Sequence, residues 1–245
     1  MTGRFDRGNP LAMLSEKFRL LQYFFSSLRK RGLWRTLKIS MFELYHEYKL
    51  GADTSYVIPR QELDGDSDAL GHGTDYFPSS YLVLHEAFSS IGSDCRDAVL
   101  VDYGCGMGRA LMFASTLPIK RMIGVELSPS LCAAATRNLQ RLYRQSGRFE
   151  PRWTIVNADA RVFAVPGDAN LFYFFNPFDA MVLGQVLDNV IESVRAAPRK
   201  CIFIYANPLH EIEFISRGFR KMPGPGHDFA VFVFAAAHRF ASVSQ

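Results

Sequence analysis

The residues most able to do chemistry lie in one run, VDYGCGMGR at 101–109, where an apolar stretch ends in Asp102 and glycines follow at 104, 106 and 108. Glycine at such positions lets the backbone turn sharply and approach a bound group more closely than a β-carbon permits. The spacing is G-x-G-x-G. A dinucleotide site wants G-x-G-x-x-G, and the position of its third glycine is held here by Arg109. Asp102 sharpens the distinction, because a carboxylate repels a pyrophosphate and attracts a cation, either directly or by holding the loop amides in place.

Two further acids end apolar runs, Glu126 in RMIGVE and Asp159 in WTIVNAD. A carboxylate at the first can accept from both hydroxyls of a ribose, and one at the second from an adenine amino group. Each acid alone is equally a turn or cap residue in water. Three of them at successive strand ends beside a glycine loop point to a cationic adenosine ligand, and S-adenosylmethionine carries both an ammonium and a sulfonium.

Such a loop has to be presented by strands that lead into helices. AVLVDY, RMIGVE, WTIVNAD, NLFYFFN and CIFIYANP read as strands. RALMFAS, SPSLCAAATRNLQRLYRQ and FDAMVLGQVLDNVIESV read as helices, the second with Ser128 as cap and Pro129 in its first turn. The chain then closes with a short helix (HEIEFISRGF), a PGPG turn and the β-prone FAVFVFAA. The expected fold class is α/β: a doubly wound, mostly parallel seven-stranded sheet with an antiparallel C-terminal strand, plus an N-terminal helical extension. The expected division is 1–75 for the extension and a loop, and 76–245 for the catalytic domain.

In the extension, Phe18, Leu21, Phe24, Phe25 and Leu28 recur at helical spacing before a basic block, LRKRGLWR, and the helix is expected from residue 11 to about 48 with a break at Gly32. The Gly- and Asp-rich stretch 51–74 reads as a long loop, and an apolar pattern from Tyr81 to Ile91 as a helix leading into the core. Residues 1–50 hold ten Lys or Arg against four acids, so the net charge of +4 comes wholly from the extension. An acidic partner, an anionic membrane surface or nucleic acid would suit that charge. The alternative is a helix packing its apolar face on the core while its charges stay in water. Cys95, Cys105, Cys132 and Cys201 show neither disulfide nor zinc spacing, and no run is apolar enough to span a membrane, which makes the cytoplasm the expected compartment.

With these residues assembled, 98–208 resembles the class I, seven-stranded S-adenosylmethionine-dependent methyltransferases: VDYGCGMG is similar to their first motif, GVELS to the second, NADA to the third and FFNPF to the fourth. Within that superfamily YFPSSYLVLHEAF resembles the non-SET lysine methyltransferases of the disruptor-of-telomeric-silencing type and their bacterial relatives. The resemblance implies a cofactor site made from Asp102, Gly104, Cys105, Gly106, Glu126, Asp159 and Asn176, with Tyr76, Ser79 and Ser80 at the methionine end. The alternative for Ser79 and Ser80 is a plain helix start. In FFNPF, one proline short of the usual amino-methyltransferase motif, Asn176 is the candidate to hold an acceptor nitrogen opposite the methyl group. A second role for it is to cap the following helix, with Pro177 in its first turn. Phe174, Phe175 and Phe178 suit either an acceptor pocket or the core, and His85 and His210 are candidate bases were the acceptor a hydroxyl. The rival readings are a non-catalytic S-adenosylmethionine-binding scaffold and an NAD-dependent oxidoreductase.

Overall fold

The computed structural model describes residues 32–51, 54–147, 151–224 and 228–235. The expected Phe/Leu stripe at 18–28, the start of the basic block and the second half of the PGPG turn lie outside the described residues. Seven strands form one sheet in the order β3-β2-β1-β4-β5-β7-β6. They are β1 (Val99–Tyr103), β2 (Arg121–Glu126), β3 (Trp153–Asn157), β4 (Leu171–Phe175), β5 (Lys200–Ala206), β6 (Arg220–Lys221) and β7 (Phe229–Ala235). The first five pair in parallel, and β7 lies antiparallel to both β5 and β6. The strand order reverses between β1 and β4, which opens a crevice at their carboxyl ends.

Strand alternation divides the core between the two faces. Leu100, Met122, Tyr173 and Ile204 pack beneath α3 (Tyr81–Ile91), α4 (Arg109–Ala114) and α5 (Pro129–Gln145), counting α1 as Leu33–Leu50 and α2 as Ser67–Gly71. Val99, Val101, Phe172 and Phe203 pack against α6 (Ala180–Ala196) and Phe214 of α7 (Glu211–Ser216). Ser128 caps α5 by accepting from the Leu131 amide, with Pro129 in the first turn, as the sequence predicts.

Three expectations change. The stretch 51–74 is not all loop: it holds a 3-10 turn at Arg60–Glu62 and α2, whose cap Asp66 accepts from Ala69 N–H, and Ile58 pairs with Tyr76 in an antiparallel bridge. Asn176 does not cap α6. That cap is Asp179, which accepts from Val182 N–H at 2.9 Å, while Asn176 sits in the left-handed region at φ 42°. In α1 only some of the charges face outward, Lys38 and Lys49 among them. Arg35, Glu43 and Glu47 turn inward to bond other parts of the chain, and Trp34 and Tyr48 are 84% and 90% exposed. Among the described residues no helix is long and apolar enough to cross a membrane.

Candidate functional site

The crevice at the carboxyl ends of β1, β2 and β4 is a cavity into which Asp102, Gly104, Cys105 and Glu126 project from the core, Tyr76 and Ser79 from the segment before α3, and Asp159 from beyond β3. Gly104 and Gly106 have φ of 69° and 54°, the left-handed turn expected of them. Their close approach, however, is to the protein itself. A β-carbon on Gly104 would lie 2.6 Å from Pro177, and one on Gly106 2.3 Å from the Tyr76 ring. Gly106 therefore lies behind the cavity wall, under Tyr76, whose hydroxyl donates to Thr54 O at 3.0 Å. Ser80 and Asn176, expected at the cofactor, line an adjoining cavity instead, whereas Ser79 stays in the first with its Oγ accepting from the Tyr173 hydroxyl at 2.9 Å.

The three acids differ in how they are held. Glu126 is buried, and each of its oxygens takes a backbone amide: Gly106 N–H donates to Oε2 and Ser128 N–H to Oε1, both at 2.9 Å. Burial pushes its carboxyl up and the amides pull it down, with burial the stronger. Glu126 thus fixes the glycine loop, and a carboxylate's remaining lone pairs are still available to hydroxyl donors. Asp159 accepts from the amide and Nε of Arg161, both at 2.8 Å. Burial opposes its charge, yet the Arg161 contacts outweigh it and hold the carboxyl below its usual range.

Asp102 is the exception. It is buried, and its Oδ2 has no hydrogen-bond partner among the described residues. Burial, with the Glu126 charge adding to it, pushes its carboxyl up to about 8. An unsatisfied buried carboxyl is expensive, on the order of 1–3 kcal/mol or more, and persists where something outside the protein completes it. The group that fits is a cation with N–H donors. Cys105, whose thiol burial also pushes well above its ordinary value, supplies apolar packing there rather than a nucleophile.

Sequence reasoning treated Arg109 only as a missing glycine. It is 4% exposed and forms the joint between loop and extension. Its guanidinium donates to Glu43 Oε2 (2.6 Å), Glu47 Oε1 (3.0 Å), Thr54 Oγ1 (2.8 Å), Ser55 Oγ (2.7 Å) and Ser79 O (3.2 Å), and it lies 4.5 Å from the Tyr81 ring centre. The signal was Glu43 and Glu47, one turn apart on a helix otherwise dominated by basic and apolar residues.

The second cavity opens at the ends of β4 and β5 and shares Thr74, Asp75, Phe77 and Phe175 with the first. Its polar wall includes Asn176 and Asn207, which directly follow the register partners Phe175 and Ala206 and both precede proline. Both are left-handed, at φ 42° and 48°. Asn176 Oδ1 accepts from the Tyr205 hydroxyl at 2.7 Å, and that hydroxyl accepts from His210 N–H at 3.3 Å. Phe174 is fully buried in the core, Phe178 packs against that core and lines the first cavity, and Phe175 faces both cavities. His85, exposed on α3, and His210, before α7, line neither cavity.

Sheet order, crevice and glycine loop together make this the seven-stranded, Rossmann-like methyltransferase fold. No family model matches the chain. It is 32% identical over 114 residues, 43% of this chain and 37% of the relative, to a ribosomal protein L11 methyltransferase of Marinomonas sp. (strain MWYL1). It is 30% identical over 105 residues, 40% and 33% of the two chains, to the protein of the same description in Hamiltonella defensa subsp. Acyrthosiphon pisum (strain 5AT). The matched stretch thus spans about a third of the length of these curated relatives. Among solved structures, precorrin 8W decarboxylase of Methanobacterium thermoautotrophicum is similar with a TM-score of 0.47 and 16% identity over 73% of this chain and 98% of that one.

Proposed function

We propose that the protein is an S-adenosylmethionine-dependent methyltransferase acting on nitrogen. The observation that carries the reading is Asp102: a buried carboxyl without a partner among the described residues, at the end of β1, beside a glycine loop. That setting suits the ammonium or sulfonium of S-adenosylmethionine, with Glu126 toward ribose hydroxyls and Asp159 toward the adenine amino group. A pyrophosphate would bring negative charge against Asp102, which disfavours an NAD-dependent oxidoreductase. The regional likeness to methyltransferases supports the same cofactor and favours an enzyme over a scaffold.

When bound, S-adenosylmethionine supplies a methyl carbon made electrophilic by sulfonium, whose bond to sulfur breaks as the acceptor's lone pair forms the new one. The protein's share is alignment and exclusion of water. Asn176, held at a fixed rotamer by the Tyr205 hydroxyl, keeps one Oδ1 lone pair with which to orient an acceptor N–H. The likeness of 76–88 to the non-SET lysine methyltransferases adds to the case for an amine. An acidic partner, an anionic membrane surface or nucleic acid at the basic extension is a separate proposal. Arg35 takes no part in it, being bonded to Glu86 and Asp228. The four free, buried cysteines suit a reducing compartment such as the cytoplasm.

The test is calorimetric titration of the full chain with S-adenosylmethionine, followed by radiolabel transfer into fractionated extract scored separately for protein, nucleic acid and small molecules. Binding that Asp102→Ala abolishes, with transfer that Asn176→Ala lowers at unchanged cofactor affinity, is expected. Absence of binding by the unmodified chain overturns the reading, and binding without transfer leaves the scaffold.

A further inference from the structure

Resting on that reading, we propose that the second cavity is the acceptor site and that it takes an amine carried on a slender apolar stem. Its place is the first argument. It opens beside the cofactor cavity, and Phe77 and Phe175, with ring centres 6.3 Å apart, line both.

Its chemistry is the second. The polar wall is made of the Asn176 and Asn207 carboxamides, Ser80, Thr74 and the carboxylates of Asp75 and Asp228, and among the described residues no Lys, Arg or His lines it. A phosphate-bearing acceptor needs Arg, Lys or clustered amide donors, and two carboxylates repel it. An amine has the opposite requirements: acceptor oxygens around its N–H groups and negative potential to draw in its protonated form from water, which must return one proton to solvent before its lone pair is free to attack the methyl carbon. Asp228 is paired with Arg35, which also bonds Glu86, whereas Asp75, whose Oδ1 accepts from Arg60 N–H at 2.9 Å, has no ion pair among the described residues and supplies the negative potential of this wall. Val57, Val83 and the two phenylalanine rings supply the apolar surface for a stem.

The third argument is that this wall is built at a cost. Two adjacent strands each end in an Asn-Pro whose asparagine is left-handed, a conformation of side-chain-bearing residues that persists where the surroundings hold it. One of these asparagines is locked by Tyr205. The other, Asn207, lines the cavity as an exposed residue, and the buried Ser80 Oγ has no hydrogen-bond partner among the described residues. Together they leave acceptor positions on two sides of one opening.

The test uses the full chain saturated with S-adenosylhomocysteine. Affinities are measured by ligand-observed magnetic resonance for n-butylamine, Nα-acetyl-lysine methylamide, n-butanol and uridine monophosphate. Both amines are expected to bind at least tenfold more tightly than n-butanol, with uridine monophosphate not competing. The two amines separate a small-molecule acceptor from a protein side chain by which of them accepts label from S-adenosylmethionine. Asn207→Gly, which keeps the left-handed backbone and deletes the carboxamide, is expected to weaken amine binding at least fivefold with cofactor affinity within twofold. Asp228→Asn is expected to do the same, its melting temperature reporting on the Arg35 contact. Equal affinity for butanol and butylamine, or tighter binding of the nucleotide, overturns the proposal while intact cofactor binding leaves the methyltransferase reading standing. Failure of the chain to bind S-adenosylhomocysteine overturns that reading first.

Discussion

Replacing Asp102 with asparagine should make the ligand-free protein more stable while destroying its cofactor site. The native carboxyl titrates at about 8 against an ordinary value of 3.8, because burial, and then Glu126, disfavour its charge. From pH 3.8 upward the unfolded chain releases this proton and the native state keeps it, so native stability falls with pH until the native group also ionises at about 8. Each pH unit in that window costs about 1.4 kcal/mol, or about 4 kcal/mol by pH 7 as an upper figure. The neutral carboxamide of the variant carries no such penalty. Thermal and urea unfolding of Asp102→Asn and the parent chain should therefore coincide near pH 4 and diverge steadily, in favour of the variant, up to about pH 8. Cofactor binding supplies the second half of the test. If a cation completes the carboxylate, binding at pH 7 releases about 0.9 proton, measurable as a dependence of the calorimetric enthalpy on buffer ionisation heat. A pH-independent stability difference together with no proton release would refute the argument that Asp102 waits, protonated, for a cation.

Other substitutions probe separate parts of the site. Gly106→Ala forces a left-handed side chain to within 2.3 Å of Tyr76 and should destabilise the fold by about 1–3 kcal/mol while weakening cofactor affinity, read by melting and titration. Arg109→Leu removes a buried guanidinium that joins α1 to the loop; about 3 kcal/mol of stability should go, and hydrogen exchange should show α1 amides losing protection before the sheet does. Tyr205→Phe deletes the hydroxyl that orients Asn176, so kcat should fall roughly tenfold with cofactor affinity unchanged, a split that a general loss of packing would not produce.

What could be read from the sequence was what is local. Strands, helices, the Ser128 cap and the glycine turn follow from periodicities of two and 3.6 and from residues acting within a few positions of themselves. The paired Asn-Pro turns were also visible, as FFNPF and YANP, but their kinship appears only once β4 and β5 lie in register. Arg109 was beyond reach for a different reason. Its partners Glu43, Glu47 and Thr54 lie 66, 62 and 55 residues away, and nothing short of the packed fold brings them together. The same holds for Ser80. It directly follows Ser79, yet at the start of α3 that one step turns the two side chains toward different cavities.

On the proposed assignment of the two cavities, the residues they share are where cofactor and acceptor would influence each other. Three of the four, Thr74, Asp75 and Phe77, belong to the strap that precedes the core, and only Phe175 belongs to the sheet. The strap is tied at both ends. Tyr76 pairs with Ile58 and lies over Gly106, and Thr74 donates to Asn176 O at 3.3 Å. Tyr76, in the first cavity, thus lies in the same short strap as Thr74 and Phe77, which reach the second. Because Arg109 fastens the neighbouring residues 54–55 and α1 to the glycine loop, the segment before the core is part of the site's wall rather than an appendage to it. On the same assignment, acceptor selectivity would reside in the strap and in Asn207 and Asp228, none of them in the glycine loop, which is why that loop points to the cofactor and is silent on the substrate.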